Sequence, residues 1–89
     1  MRQNEIRFEL QEIIDYAAAI RTEKEKNAEK QWQKWLEIAD IFGVDSTQAD
    51  AAKDVWIRCA TEAKEAELWH KFILENFKNL VKILSKYRL

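Results

Sequence analysis

Proline is absent from the 89 residues and glycine occurs once. A β-rich fold needs many turn residues, so this scarcity excludes one and leaves Gly43 as the only strong punctuation in the chain. Cysteine also occurs once, so Cys59 has no partner for an internal disulfide, which suits a reducing compartment. No apolar run approaches the ~18 residues of a membrane span. The first residues, Met1-Arg2-Gln3-Asn4-Glu5, lack the apolar block of a signal peptide. A soluble, cytoplasmic protein is the expectation. Neither charge sign dominates: 15 Lys and Arg face 16 Asp and Glu, for a net charge of −1, so neither general nucleic-acid affinity nor an acidic mimic of DNA is expected. There is no Gly-rich phosphate loop, no paired-Cys zinc spacing and no Ser-His-Asp arrangement.

What is present is 47% hydrophobic and 35% charged residues, a balance that supports an ordered helical chain. The length allows one domain, residues 1–89, whose only core must also supply any binding site. Gly43 can take the left-handed conformation that closes a helix, and Asp45 or Ser46 can cap the next. With Asp45 as the cap, Gln48 would complete a capping box. The spacing predicts a helix over 4–42, a turn over 43–46 and a second helix over 47–87.

The second helix carries an apolar seam, Ala52, Trp56, Cys59, Ala63, Ala66, His70, continuing through Ile73, Phe77, Leu80, Leu84 and Tyr87. Its steps alternate four and three, the average repeat of about 3.5 residues that defines a coiled-coil face. The first helix carries two such seams: Ile6, Leu10, Ile13, Ala17 and Ile20, then Ala28, Trp32, Trp35, Ala39 and Phe42, displaced by one residue. The run between them, residues 21–27, holds good helix formers and no breaker. A continuous helix with a local skip or π-bulge is expected there, the alternative being a three-helix bundle with a break near Asn27.

Folding at Gly43 sets opposite one another residues whose numbers sum to about 91, pairing Trp35 with Trp56, Ile13 with Phe77 and Ile6 with Leu84. The fold class is therefore all-α, a long antiparallel hairpin of two helices of about 40 residues. Off the seam, Phe8, Ile14, Trp69, Phe72, Leu74, Val81 and Ile83 widen the apolar face in the half remote from the turn. A stripe that wide implies more than one neighbour, so two hairpins are expected to pair as a four-helix-bundle homodimer through Ile14, Trp69, Phe72, Ile73, Val81 and Ile83.

Charge is uneven along the chain. Residues 36–67 hold eight acids and three bases, whereas 68–89 hold Glu75 against five bases. The acidic turn end, with Asp40, Asp45 and Asp50 around Ile41, Val44 and Ile57, is the expected surface for a basic protein partner. The Glu67-Leu68-Trp69-His70 step has the Glu-x-x-His spacing of di-metal bundles, which makes a metal-dependent bundle enzyme the second reading. A single match of that kind is common, and no catalytic, cofactor or metal residue is assigned. The basic C-terminal helix supplies a third reading, a peripheral membrane or nucleic-acid binder, although its seam is already claimed by the first helix. The first reading is a non-enzymatic interaction module acting as an adaptor, regulator or inhibitor, in the style of the compact inhibitors that phages and mobile elements encode.

Overall fold

The computed structural model describes residues 2–87, with side chains from residue 4 onward. It contains three helices, α1 (Arg2–Phe42), α2 (Thr47–Glu75) and α3 (Phe77–Tyr87), and the described residues include no strand. α1 runs back along α2 and α3 as a hairpin with principal extents of 61 × 17 × 15 Å. Its radius of gyration is 19.2 Å, against about 12 Å for a compact domain of this length. No helix among the described residues is long and apolar enough to cross a membrane.

The turn forms where the lone glycine stands. Gly43 has φ +96°, a region that costs an L-residue with a side chain roughly 1–2 kcal/mol. Its N–H donates to Ala39 O at 2.9 Å, closing α1. Ser46, rather than Asp45, is the N-cap of α2: its Oγ accepts from Ala49 N at 3.1 Å and donates to Gly43 O at 2.7 Å. One hydroxyl thus ties the start of the second helix to the end of the first.

α1 is α-helical through residues 21–27, with neither a π-bulge nor a break at Asn27. The two offset seams are reconciled differently. Ile14 is 8% exposed and Ile13 42%, so the true seam passes through Ile6, Leu10, Ile14, Ala17, Arg21, Lys24 and Ala28 to Trp32, Trp35 and Ala39. Its steps average about 3.7 residues, close enough to the natural repeat of a helix that no insertion is needed. Two seam positions are long cations. Arg21 reaches across to His70 and Lys24 to Glu62, their stems covering apolar surface while their heads stay polar.

The second helix is not continuous to residue 87. Asn76 divides it, with φ −105° and ψ 12°. Its Nδ2 donates to Phe72 O at 2.8 Å, competing with its own backbone N–H, which bonds the same carbonyl at 3.1 Å. That capture of an i−4 carbonyl is why Asn is a poor interior helix residue. Leu80 N still bonds Asn76 O at 2.8 Å, so the break is a bend and not a loop. Beyond it Val81, at 2% exposed, takes the buried position, with Leu80 half-buried beside it.

The fully buried aliphatic residues lie in the half remote from the turn. Ile6, Leu10 and Val81 form one cluster with Phe77, Leu80 and Leu84, and Ile14, Ala17 and Ile73 form the next. Nearer the turn the buried residues are alanines, Ala49, Ala63 and Ala66. The seam's extremities, Phe42 and Tyr87, are exposed.

Candidate interaction surfaces

Two cross-arm contacts mark one side of the rod. Lys24 Nζ lies 3.2 Å from Glu62 Oε2, and Asn27 Nδ2 donates to Cys59 Sγ at 3.3 Å. A seven-residue step returns to nearly the same side of a helix, so Ile13 and Ile20 share the side of Asn27, and Trp69 shares that of Glu62. Tyr16 and Phe72 follow Ile13 and Trp69 by three residues and widen this face. Ile83 stands three turns beyond Phe72. Tyr16 is 64% and Phe72 58% exposed, while Ile13, Trp69 and Ile83 are each more than two-fifths exposed. This apolar face starts near the middle of the rod and runs away from the turn.

The expected dimer residues therefore divide. Ile14, Ile73 and Val81 are buried between the arms of one hairpin and form no outer face. Each lies one position from an assumed seam residue or on the seam itself, and the shifted seam of α1 and the bend at Asn76 turned them inward. Trp69, Phe72 and Ile83 are on the surface. Ile13 and Tyr16, which no interface expectation included, join them. The signal for Ile13 was its one-residue offset from Ile14, which the sequence pattern resolved the other way.

At the turn end Asp40, Ile41, Val44, Asp45, Asp50 and Ile57 are all exposed. Asp50 and Ile57, seven residues apart, share one stripe of α2. Ile41 follows the inward-facing Ala39 by two residues and Ile57 follows the inward-facing Trp56 by one, so each points away from the opposite arm. The six residues spread from the turn itself to Ile57, about 15 Å along α2 at 1.5 Å per residue.

The tryptophans pack on one another between the arms. Trp32 lies 5.1 Å from Trp35 and 4.7 Å from Trp56 between ring centroids, and Trp35 stacks on Trp56 at 6.3 Å. All three remain half-buried. Opposite the Lys24 side, Trp32 and Trp56 wall a groove of about 470 Å³. It is floored by Ala28, Ala60 and Ala63 and rimmed by Glu25, Glu29, Glu67 and Lys64. Large rings beside small alanine side chains leave the hollow, a size mismatch present in the sequence as Trp32 and Trp56 against Ala28, Ala60 and Ala63.

On the rim Glu25, Glu67 and Lys64 pair within the chain, and Glu29 accepts from Gln33 Nε2 at 3.0 Å. Glu25 pairs with Arg21 at 2.8 Å, and Glu67 pairs with Lys71 at 2.8 Å and Lys64 at 3.5 Å. The Lys71 hydrogen bond, then the charges of Lys64 and Lys71, hold the Glu67 carboxyl below its ordinary value. Arg21 Nη1 is 3.3 Å from His70 Nδ1. A guanidinium only donates, so Nδ1 accepts and the ring proton sits on Nε2. Glu67 and His70 thus face cations. No group of three His, Cys, Asp or Glu side chains placed to hold a metal occurs among the described residues.

No protein-family model, curated protein or solved structure matches the chain.

Proposed function

We propose that the protein is a non-enzymatic interaction module: two hairpins self-associate through the remote apolar face as a four-helix bundle and present their acidic turn ends to a basic protein partner. It serves as a small adaptor, regulator or inhibitor. The observation that carries this reading is the surface. The chain exposes 6753 Å², against roughly 5,500 Å² for a compact monomer of its mass. The excess includes more than half of the surface of Tyr16 and of Phe72. A specific interface removes about 800 Å² from each partner, which this excess covers.

Support for a non-catalytic role comes from the positive partners of Glu67 and His70: the two groups best placed for metal chemistry are engaged by Lys64, Lys71 and Arg21. The lone thiol of Cys59 suits a cytoplasmic setting. Light scattering across a concentration series tests the self-association. A mass near twice 10.6 kDa at micromolar concentration supports it, and a monomer mass throughout contradicts it. The partner surface is tested separately by reversing Asp40, Asp45 and Asp50 to lysine. Capture of a basic partner slows through its on-rate while the dimer mass is unchanged; unaltered capture places the docking site elsewhere.

A further inference from the structure

The rod is electrically polar along its length, and this polarity fixes how two copies meet. Residues 22–67, the turn-proximal half, hold eleven acids and seven bases, and the rest of the chain holds five acids and eight bases. Side-by-side pairing with both turns at one end would set acidic half on acidic half and basic half on basic half. Reversing one copy sets the basic half of each against residues 22–31 and 58–67 of the other, a nearly neutral stretch of six acids and five bases, and so removes both like-charge contacts. Such contacts are among the strongest penalties on a wrong docking geometry.

The apolar face supplies the position of the crossing. Ile20 and Trp69 are each about 25 residues from the turn and Ile13 and Phe72 about 30, so the exposed patch is centred some 40 Å from the tip at 1.5 Å per residue. In a rod 61 Å long that centre lies beyond the middle. A second copy laid antiparallel with its patch on this one overlaps it over roughly 40 Å and leaves the turn tips of the two copies free at opposite ends. We infer that the occupant of the face bearing Ile13, Tyr16, Ile20, Trp69, Phe72 and Ile83 is a second copy of this chain, docked antiparallel about a two-fold axis near Trp69. α3 of each copy then lies alongside α2 of the other, with Lys78 at the level of Glu62 and Glu65 and Lys86 nearer the tip at the level of Trp56. The same patch faces itself across the axis, as a closed two-fold interface requires.

This inference rests on the self-association proposed above, and one experiment separates the two. The single native thiol, Cys59, is spin-labelled in the full chain, and a second sample carries the label at Lys86→Cys in a Cys59→Ser background. Intermolecular distances are read by pulsed dipolar spectroscopy, and circular dichroism and mass confirm fold and dimer in each sample. With the axis about 40 Å from the tip, the axial offset combined with the spacing of the rods gives about 40 Å between Cys59 sites and about 47 Å between position-86 sites in the antiparallel dimer. Distances below ~20 Å at both positions, the width of neighbouring rods, identify a parallel dimer and overturn the inference while leaving self-association standing. A short distance at position 86 with a long one at Cys59 identifies end-to-end contact and also overturns it. Absence of any intermolecular coupling in a sample of monomer mass overturns the self-association reading itself. If the Cys59 label disturbs the Asn27 contact and loosens the fold, Arg58→Cys in the Cys59→Ser background reads the same level from an exposed position.

Discussion

The two halves of the hairpin are held together by different means. Remote from the turn, branched aliphatic side chains interlock in two clusters around Ile6, Leu10, Ile14, Ile73 and Val81. Near the turn the buried residues are alanines, and closure falls to three tryptophans in mutual contact and to Gly43 and Ser46. The better-packed half is also the one with more apolar surface left over, and the one whose second arm bends at Asn76. An apolar stripe wider than one partner can cover gives strong pairing and a residual sticky face together. A narrow seam gives local closure and leaves single apolar residues such as Ile41 and Val44 among acids. The aliphatic core and the exposed apolar face thus share one half, and the other differs in charge.

Breaking the aliphatic half should have the largest effect. Ile6 is nearly inaccessible, and Ile6→Ala is expected to cost about 2–4 kcal/mol by loss of burial plus the cavity left behind. Chemical denaturation at fixed protein concentration measures it, because dimerisation would otherwise move the midpoint. Hydrogen exchange should show α3 losing protection before α2. Equal loss along the whole rod would mean that the two halves are not separately held.

At the turn, Ser46→Ala removes the acceptor for Ala49 N and the donor to Gly43 O, for an expected loss of about 1 kcal/mol. Asp45→Ala should cost less, since Asp45 is not the cap. The reverse order in denaturation midpoints would place the cap at Asp45.

The bend sharpens the comparison from the other side. Asn76→Ala exchanges a residue that captures the Phe72 carbonyl for the best helix former, so a gain of about 0.5 kcal/mol in stability is expected if the straight helix can keep Val81 buried. A loss larger than that would show that the bend is what seats Val81 against Ile6 and Leu10.

The smallest effect belongs to the middle of the rod. The folded carboxyl of Glu67 titrates below its unfolded value because Lys71 and Lys64 favour the ionised form. Its contribution is therefore full above about pH 4.3, the unfolded carboxylate value, and is lost as pH falls through the lower folded value. Glu67→Gln should flatten that part of the acid limb by lowering neutral-pH stability by the same small amount, while stability at acid pH is unchanged. An acid limb identical to that of the wild type would remove Glu67 from the account.

Much of this fold was legible because single residues carried unambiguous instructions. One glycine fixed the turn, while the cap stayed open between Asp45 and Ser46. The turn set the approximate register, in which Trp35 stacks on Trp56 as a sum of about 91 places them, although Trp32 lies closer to Trp56 and Asn27 meets Cys59. The choice between Ile13 and Ile14 was not legible from a search for strict four-three spacing. The α1 seam runs through Arg21 and Lys24, cations whose aliphatic stems serve as seam residues and whose presence hid its continuity. The bend at Asn76 depended on one amide preferring a carbonyl to solvent, a local competition that hydrophobic periodicity does not register. Of the surface sites, the acidic turn end was visible as composition. The remote face was visible only as an excess, and which members of that excess turn inward was decided by packing.

The central claim is that the remote face joins two copies, and sedimentation equilibrium of the wild type beside Phe72→Glu tests it most directly. Phe72 is 58% exposed and absent from both core clusters, so the change should leave the helical hairpin folded. The account predicts a wild-type dimer at micromolar concentration and a Phe72→Glu monomer with unchanged helical circular dichroism. A variant that remains as fully dimeric as the wild type would contradict it.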